Sequence, residues 1–171
     1  TVTMNDKRTF AATLIGNDPA TDLALIKIDA EDLQTIPFGN SDNAQVGEWV
    51  LAIGNPFNLT STVTAGIVSA KARSLGVYNG GIESFIQTDA AINSGNSGGG
   101  MFSVTGELMG IPTLKYTGSY YSGASVEGIG MCIPVNAVKP LIESVLSGEI
   151  KAIAPESKPT DAATDDLTGK P

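Results

Sequence analysis

Gly95-Asn96-Ser97-Gly98-Gly99-Gly100 separates two short apolar runs, Phe85 to Thr88 before it and Met101 to Val104 after it. Glycines accept backbone angles that other residues resist, so the hexapeptide reads as a tight turn between strands. The same pattern repeats outward from it. Leu108 to Lys115 follows, with Gly106 placed for a hairpin turn, and then Gly128 to Ile133. On the amino-terminal side lie Thr9 to Ile15, stopped by Gly16-Asn17-Asp18-Pro19, and Leu23 to Ile28. Glu48 to Ile53, stopped by Gly54-Asn55-Pro56, and Thr62 to Ala70 complete the set. Runs of this length between turn residues predict an all-β sandwich or barrel. A single helix is predicted over residues 137–146. Asn136 would be its N-cap, Pro140 would fall in its first turn, and Gly148 would end it. Val138, Leu141, Ile142 and Val145 form its apolar stripe. From Glu149 the period dissolves, and Ala154 to Pro171 reads as a semi-extended linker.

Composition narrows the function. The chain has 171 residues, 42% hydrophobic and 16% charged, which suits one packed domain with a tail. Its formal charge is −8 and no Lys/Arg cluster occurs, which argues against nucleic acid and anionic membrane as partners. Cys132, the single cysteine, allows no internal disulfide and reads as a small buried apolar residue. A cysteine nucleophile needs a histidine to activate it, and the chain has none. No metal and no cofactor is expected. No targeting segment or membrane span is visible, and both ends read as cuts. Trp49 is expected in the core or between sheets, and Tyr120-Tyr121 in an exposed loop.

Two stretches have a chemical reading beside a structural one. A nucleophilic serine needs a turn that exposes its hydroxyl and backbone N–H groups aimed at one spot to hold an oxyanion. The turn around Ser97 permits both, and equally permits a plain glycine turn. Its G-x-S-x-G letters also occur in α/β-hydrolases, but that fold requires alternating helices and a later acid and histidine. A phosphate loop would end in Gly-Lys-Ser/Thr, which is missing. In Thr21-Asp22-Leu23-Ala24-Leu25-Ile26-Lys27-Ile28, Asp22 opens an apolar strand. It is either a turn carboxylate or the acid that orients a catalytic histidine. Asp89 reads as a structural carboxylate. Asp22 before Ser97 fits the His…Asp…Ser chain order of chymotrypsin-like proteases.

Taken in order, several motifs resemble the bacterial HtrA (Do-like) family of trypsin-like serine proteases. They are Asn17-Asp18, Asp22-Leu23-Ala24-Leu25, Ala52-Ile53-Gly54-Asn55-Pro56-Phe57, Gln87-Thr88-Asp89-Ala90-Ala91-Ile92-Asn93, Gly95-Asn96-Ser97-Gly98-Gly99 and Ile133-Pro134-Val135-Asn136. The resemblance runs from about Thr1 to Gly148. It implies a chymotrypsin-like double antiparallel β-barrel with a short C-terminal helix. Residues 1–40 would be the remnant of an incomplete first barrel, 41–148 the second barrel with its closing helix, and 149–171 a linker leading to a PDZ domain.

The resemblance also implies roles. Ser97 would be the nucleophile and Asp22 the partner of a histidine lying upstream of Thr1. The N–H groups of Gly95 and Ser97, with Asn96 between them, would form the oxyanion hole. Ala91 would lie at the base of the primary pocket, and being uncharged would direct cleavage after small or medium apolar residues. Thr113, Leu114 and Lys115 would pair with substrate backbone, beside a Pro112 that removes one donor. Residues 75–81 would match a loop that senses activation, or equally be a plain flexible connector. The intact protein would be a trimer in the cell envelope acting on unfolded or misfolded polypeptides. This chain alone would be almost inactive, and with its first strands missing would be marginally stable or aggregate. The alternative is a pseudoprotease, a peptide-binding module without catalysis.

Overall fold

Runs of β-branched and apolar residues cut by glycine and asparagine form strands where the periodicity predicts them. The computed structural model describes residues 1–55, 62–74, 84–115 and 126–148. The amino-terminal strands are β1 (Val2–Thr3), β2 (Thr9–Phe10), β3 (Ala12–Asp18) and β4 (Leu23–Ile28). They are followed by β5 (Trp49–Gly54), β6 (Thr62–Arg73), β7 (Phe85–Thr88), β8 (Gly100–Ser103), β9 (Leu108–Lys115) and β10 (Gly130–Pro134). The helix α1 spans Val135–Leu146. The tail from residue 149, the 75–81 segment, Pro56-Phe57 and Tyr120-Tyr121 lie outside the described residues.

Strands β5 to β10 close into an antiparallel barrel in the order β10-β7-β6-β5-β8-β9, while β1-β2 and β3-β4 form two separate hairpins. Closure leaves no unpaired ladder in the barrel. The all-β expectation with one C-terminal helix is borne out. Alternation sets what faces inward. Along β5, Val50 and Ala52 are buried, so Trp49 falls on the outer face and is 63% exposed. The expectation that Trp49 sits in the core is thus corrected.

Gly106, at φ 86°, turns the chain between β8 and β9, where its N–H donates to the Ser103 carbonyl at 3.0 Å. Strand β3 runs on through Gly16, Asn17 and Asp18, which were expected to end it, because these residues still pair with Leu25, Ala24 and Leu23. The carboxylate of Asp18 then makes the turn, accepting the Ala20 N–H at 3.0 Å and the Thr21 hydroxyl at 2.8 Å.

The apolar stripe of α1 lies where the sequence puts it. Val138, Leu141 and Val145 cluster with Leu23, Phe85, Met131 and Ile133, tying the β3-β4 hairpin and the barrel to the helix. The N-cap differs from expectation. The helix begins at Val135, with Pro134 in the cap position and no side-chain cap bond. Asn136 is therefore a helical residue whose own N–H donates to Ser41 Oγ at 3.1 Å. Its Nδ2 donates to Asn40 Oδ1 at 2.7 Å. Pro140 consequently lies beyond the first turn, where its missing N–H removes an intrahelical bond. Gly148, at φ 80°, follows the C-cap Ser147 and donates to the Val145 carbonyl, as expected of a helix stop.

Candidate active site

The segment from Asp89 to Gly99 joins β7 to β8, which are not neighbours in the barrel, and so crosses its end. Short bonds hold it. The Asn96 N–H donates to the Asn93 carbonyl at 3.0 Å and the Gly99 N–H to the Asn96 carbonyl at 2.9 Å. Asn55 N–H donates to the Gly95 carbonyl at 3.1 Å, and Gly98 N–H to the Pro112 carbonyl at 2.9 Å. Asn96 is 1% exposed, and its Nδ2 donates to the Ala91 carbonyl at 3.1 Å. The Thr64 hydroxyl reaches the same carbonyl at 3.0 Å.

This frame leaves Ser97 exposed between Asn96 and Gly98, with Gly95 at φ 100° and Gly98 at φ 80°. Among the described residues the N–H groups of Gly95 and Ser97 have no acceptor. They are therefore available to an incoming oxyanion. Beside them opens a cavity of about 380 Å³, lined by Thr3, Asn5, Gly54, Asn55, Gly95 and Ser97 among others.

Asp22 and Ser97, 75 residues apart in sequence, meet on a single residue. The Thr113 hydroxyl donates to Asp22 Oδ2 at 2.6 Å, and the Ser97 hydroxyl donates to the Thr113 carbonyl at 3.1 Å. Local backbone chemistry makes this possible. Asp22 sits at φ 58°, a left-handed conformation that aspartate tolerates. In the β9-β10 ladder Leu114 opposes Met131 while Pro112 opposes Cys132, so Thr113 is the extra residue of a bulge. A bulge re-aims a side chain out of the regular pleat. Pro112 itself is fully buried in β9, and its carbonyl anchors Gly98.

The remaining predicted residues fall around a second, smaller cavity of about 90 Å³, which Ala91 and Lys115 line together with Asp89, Ile92, Glu127 and Ile129. Leu114 turns instead towards the core around Leu23 and Phe85. Asp89 is structural, as expected, with Oδ1 accepting the Ile67 N–H at 2.7 Å. Cys132 is buried, and burial alone pushes its thiol up to about 12, so it is not a nucleophile at neutral pH. Two features escaped sequence reasoning. Glu127 pairs with Lys115 at 2.5 Å, and Gly54 lies against Asn96 so closely that a Cβ would sit 2.7 Å from its Cα. Alternation of apolar and turn residues carries no signal for either.

Comparison with known proteins points to one family. The Trypsin-like peptidase domain family matches residues 1–111. A probable periplasmic serine endoprotease, DegP-like, from Chlamydia trachomatis is 47% identical over 146 residues, covering 85% of this chain and 28% of that protein. The serine endoprotease DegS of Salmonella typhimurium is 44% identical over 146 residues, covering 85% of this chain and 40% of that protein. Among solved structures, the HtrA-type protease AlgW with decapeptide superposes with a TM-score of 0.75 at 44% identity, covering 84% of this chain and 43% of that one. The chain thus spans well under half the length of these relatives.

Proposed function

The chain belongs to the trypsin-like peptidase family, in its HtrA type and with a chymotrypsin-like fold, and from that membership we propose that it carries the nucleophile and acid of a serine endopeptidase. The observation that carries the reading is the convergence of Ser97 and Asp22 on Thr113, beside two N–H groups with no acceptor among the described residues. The bonds have a chemical consequence. An imidazole placed between Asp22 and Ser97 would be held by the carboxylate in the tautomer that accepts the serine proton. Once deprotonated, Ser97 Oγ attacks the scissile carbonyl, and its oxygen becomes an anion facing the N–H groups of Gly95 and Ser97. Asn96, buried between them, fixes their spacing. The chain contains no histidine, so the reading requires one from a segment preceding Thr1.

By family resemblance Ala91 would lie at the base of the primary pocket, and its uncharged side chain favours cleavage after small or medium apolar residues. Thr113 to Lys115 would pair with the substrate backbone. The whole protein would act on unfolded polypeptides in the bacterial envelope, as the periplasmic names of its relatives suggest. Residues 1–40 and 41–148 would divide between two barrels, with residues 149–171 linking to a PDZ domain and the protein assembling as a trimer.

The test is digestion of unfolded casein by the full-length product of the reading frame, with and without Ser97→Ala. Loss of the nucleophile should reduce turnover on the order of a million-fold. Equal cleavage by both would overturn the reading. A second reading, a peptide-binding module without catalysis, draws on the absence of histidine and on the Ser97 hydroxyl being held by a carbonyl, which is no base. It predicts measurable peptide binding at the Thr113 strand, with no cleavage by either form.

A further inference from the structure

The β6-β7 ladder stops where Val68 faces Thr88, and from Asp89 the chain leaves it on the way to Ser97. Side chains take over from the ladder there. The Ile67 N–H donates to Asp89 Oδ1 at 2.7 Å, and the Thr64 hydroxyl donates to the Ala91 carbonyl at 3.0 Å. Between these two bonds Gly66 lets strand and segment meet, since a Cβ there would sit 2.6 Å from Ala90 Cα. Thr64 shares a face of β6 with the buried Gly66 and Val68 by alternation, so its hydroxyl comes from the inner face of the barrel.

We propose that Thr64 is a positioning residue for the oxyanion cradle, its hydroxyl fixing the Ala91 carbonyl that holds the amide of Asn96. The inference rests on the peptidase reading of Ser97 and adds to it a residue from a strand outside the Ser97 turn. A carbonyl oxygen has two lone pairs, and that of Ala91 accepts from both Thr64 Oγ1 and Asn96 Nδ2. One donor is mounted on the closed barrel and the other belongs to the turn, so this oxygen joins the two. Asn96 is 1% exposed and lies between Gly95 and Ser97, whose N–H groups form the cradle. Its Oδ1 has no partner among the described residues, so Nδ2 is the end by which the side chain is held. Without the Thr64 hydroxyl that bond survives, but its acceptor loses its tie to β6 and the turn can shift with it. The cradle is engaged when an oxyanion forms, so the effect falls on turnover and not on substrate binding.

The experiment uses the full-length protein and a peptide taken from a casein site that it cuts. Thr64→Val deletes the hydroxyl and keeps the shape, whereas Thr64→Ser keeps the hydroxyl and loses the methyl. A shift of about 1 Å in a reacting geometry costs about 100-fold in rate; because Asn96 Nδ2 keeps its bond, Thr64→Val should lose about 10-fold in kcat with KM unchanged. Thr64→Ser should turn over like its parent. A peptide aldehyde gives a hemiacetal with Ser97 Oγ and brings its oxygen to the cradle, so it should bind Thr64→Val about 10-fold more weakly than it binds the parent. The corresponding alcohol forms no such adduct and should bind both equally. Packing at Thr64 would give the opposite order, with Thr64→Ser impaired and Thr64→Val intact, and that result overturns the inference. So does a Thr64→Val protein whose kcat matches the parent, or whose loss lies in KM or in alcohol binding. Should Thr64→Val not fold, Thr64→Ala removes hydroxyl and methyl together, and a kcat equal to that of Thr64→Ser overturns the inference equally. Cleavage that persists in Ser97→Ala marks instead the failure of the peptidase reading.

Discussion

Gly54→Ala presses a methyl group into the frame that presents Ser97. Its Cβ would lie 2.6 Å from Asn96 Oδ1 and 2.7 Å from Asn96 Cα, against an optimal carbon separation of about 3.5–4.0 Å. The partner is backbone, not the end of a flexible side chain, so the Asn96 turn must retreat by about 1 Å. Asn96 is buried, with Nδ2 bonded to the Ala91 carbonyl, and has little room to give. Overpacking of this kind costs about 1–3 kcal/mol, which in a chain of this size lowers Tm by about 2–12 °C. Asn96 lies between the two donor N–H groups, and a displacement of about 1 Å in a reacting geometry costs about 100-fold in rate. Calorimetry gives the first quantity; kcat and KM for Ser97-dependent peptide cleavage by the full-length protein give the second. The loss should fall on kcat, since the close contact is with Asn96 and not with Thr113. Gly47→Ala serves as the control: at φ 94° with nothing within 4 Å of its Cβ, it should cost about 1 kcal/mol of strain and leave turnover alone. If Gly54→Ala melts and turns over like its parent, Asn96 is not held by Gly54 and the reasoning is refuted.

Thr113→Val keeps the carbonyl that Ser97 uses but deletes the hydroxyl that holds Asp22; urea unfolding should show a loss of about 1 kcal/mol, and kcat should fall more than KM rises. Ser41→Ala removes the acceptor for the Asn136 N–H at the start of α1 and should cost about 1 kcal/mol, read as a lower thermal midpoint. Cys132 should resist a disulfide reagent at pH 8 until denaturant is added, since burial pushes its thiol from 9.0 to about 12. In the unfolded chain that thiol ionises first, so the folded state holds the extra proton. The stabilisation is complete below pH 9 and is lost between pH 9 and about 12, at up to about 1.4 kcal/mol per pH unit. Stability against pH for Cys132→Ala should lack that decline.

The strands were legible because each face needs only a period of two, and Leu23–Ile28, Phe85–Thr88 and Leu108–Lys115 stand at their expected bounds. Trp49 was misplaced by its residue type. The alternation of Val50 and Ala52 already assigned it to the outer face. The start of α1 was hidden for another reason: the N–H of Asn136 in its first turn is satisfied across space by Ser41, 95 residues away in sequence, not by a local cap. The motifs named Ser97 and Asp22, but not the bulge that turns Thr113 towards both, because a bulge is a mismatch between two strands and belongs to neither alone. Lys115 was named only as part of a strand expected to pair with substrate, and its ion pair with Glu127 had no signal because it arises where the fold brings two strand ends to one cavity.

The Ser97 segment hangs between β7 and β8, whose partners are β10 and β6 on one side and β5 and β9 on the other. Its two ends are therefore fixed by strands as distant in sequence as Trp49–Gly54 and Gly130–Pro134. Such non-local pairings form late and slowly. Whatever Ser97 can do, a chain still being made cannot do it: the hydroxyl and its N–H cradle come into register only when the ring has shut. The order of assembly thus works as a built-in delay, since the site exists only in a finished barrel.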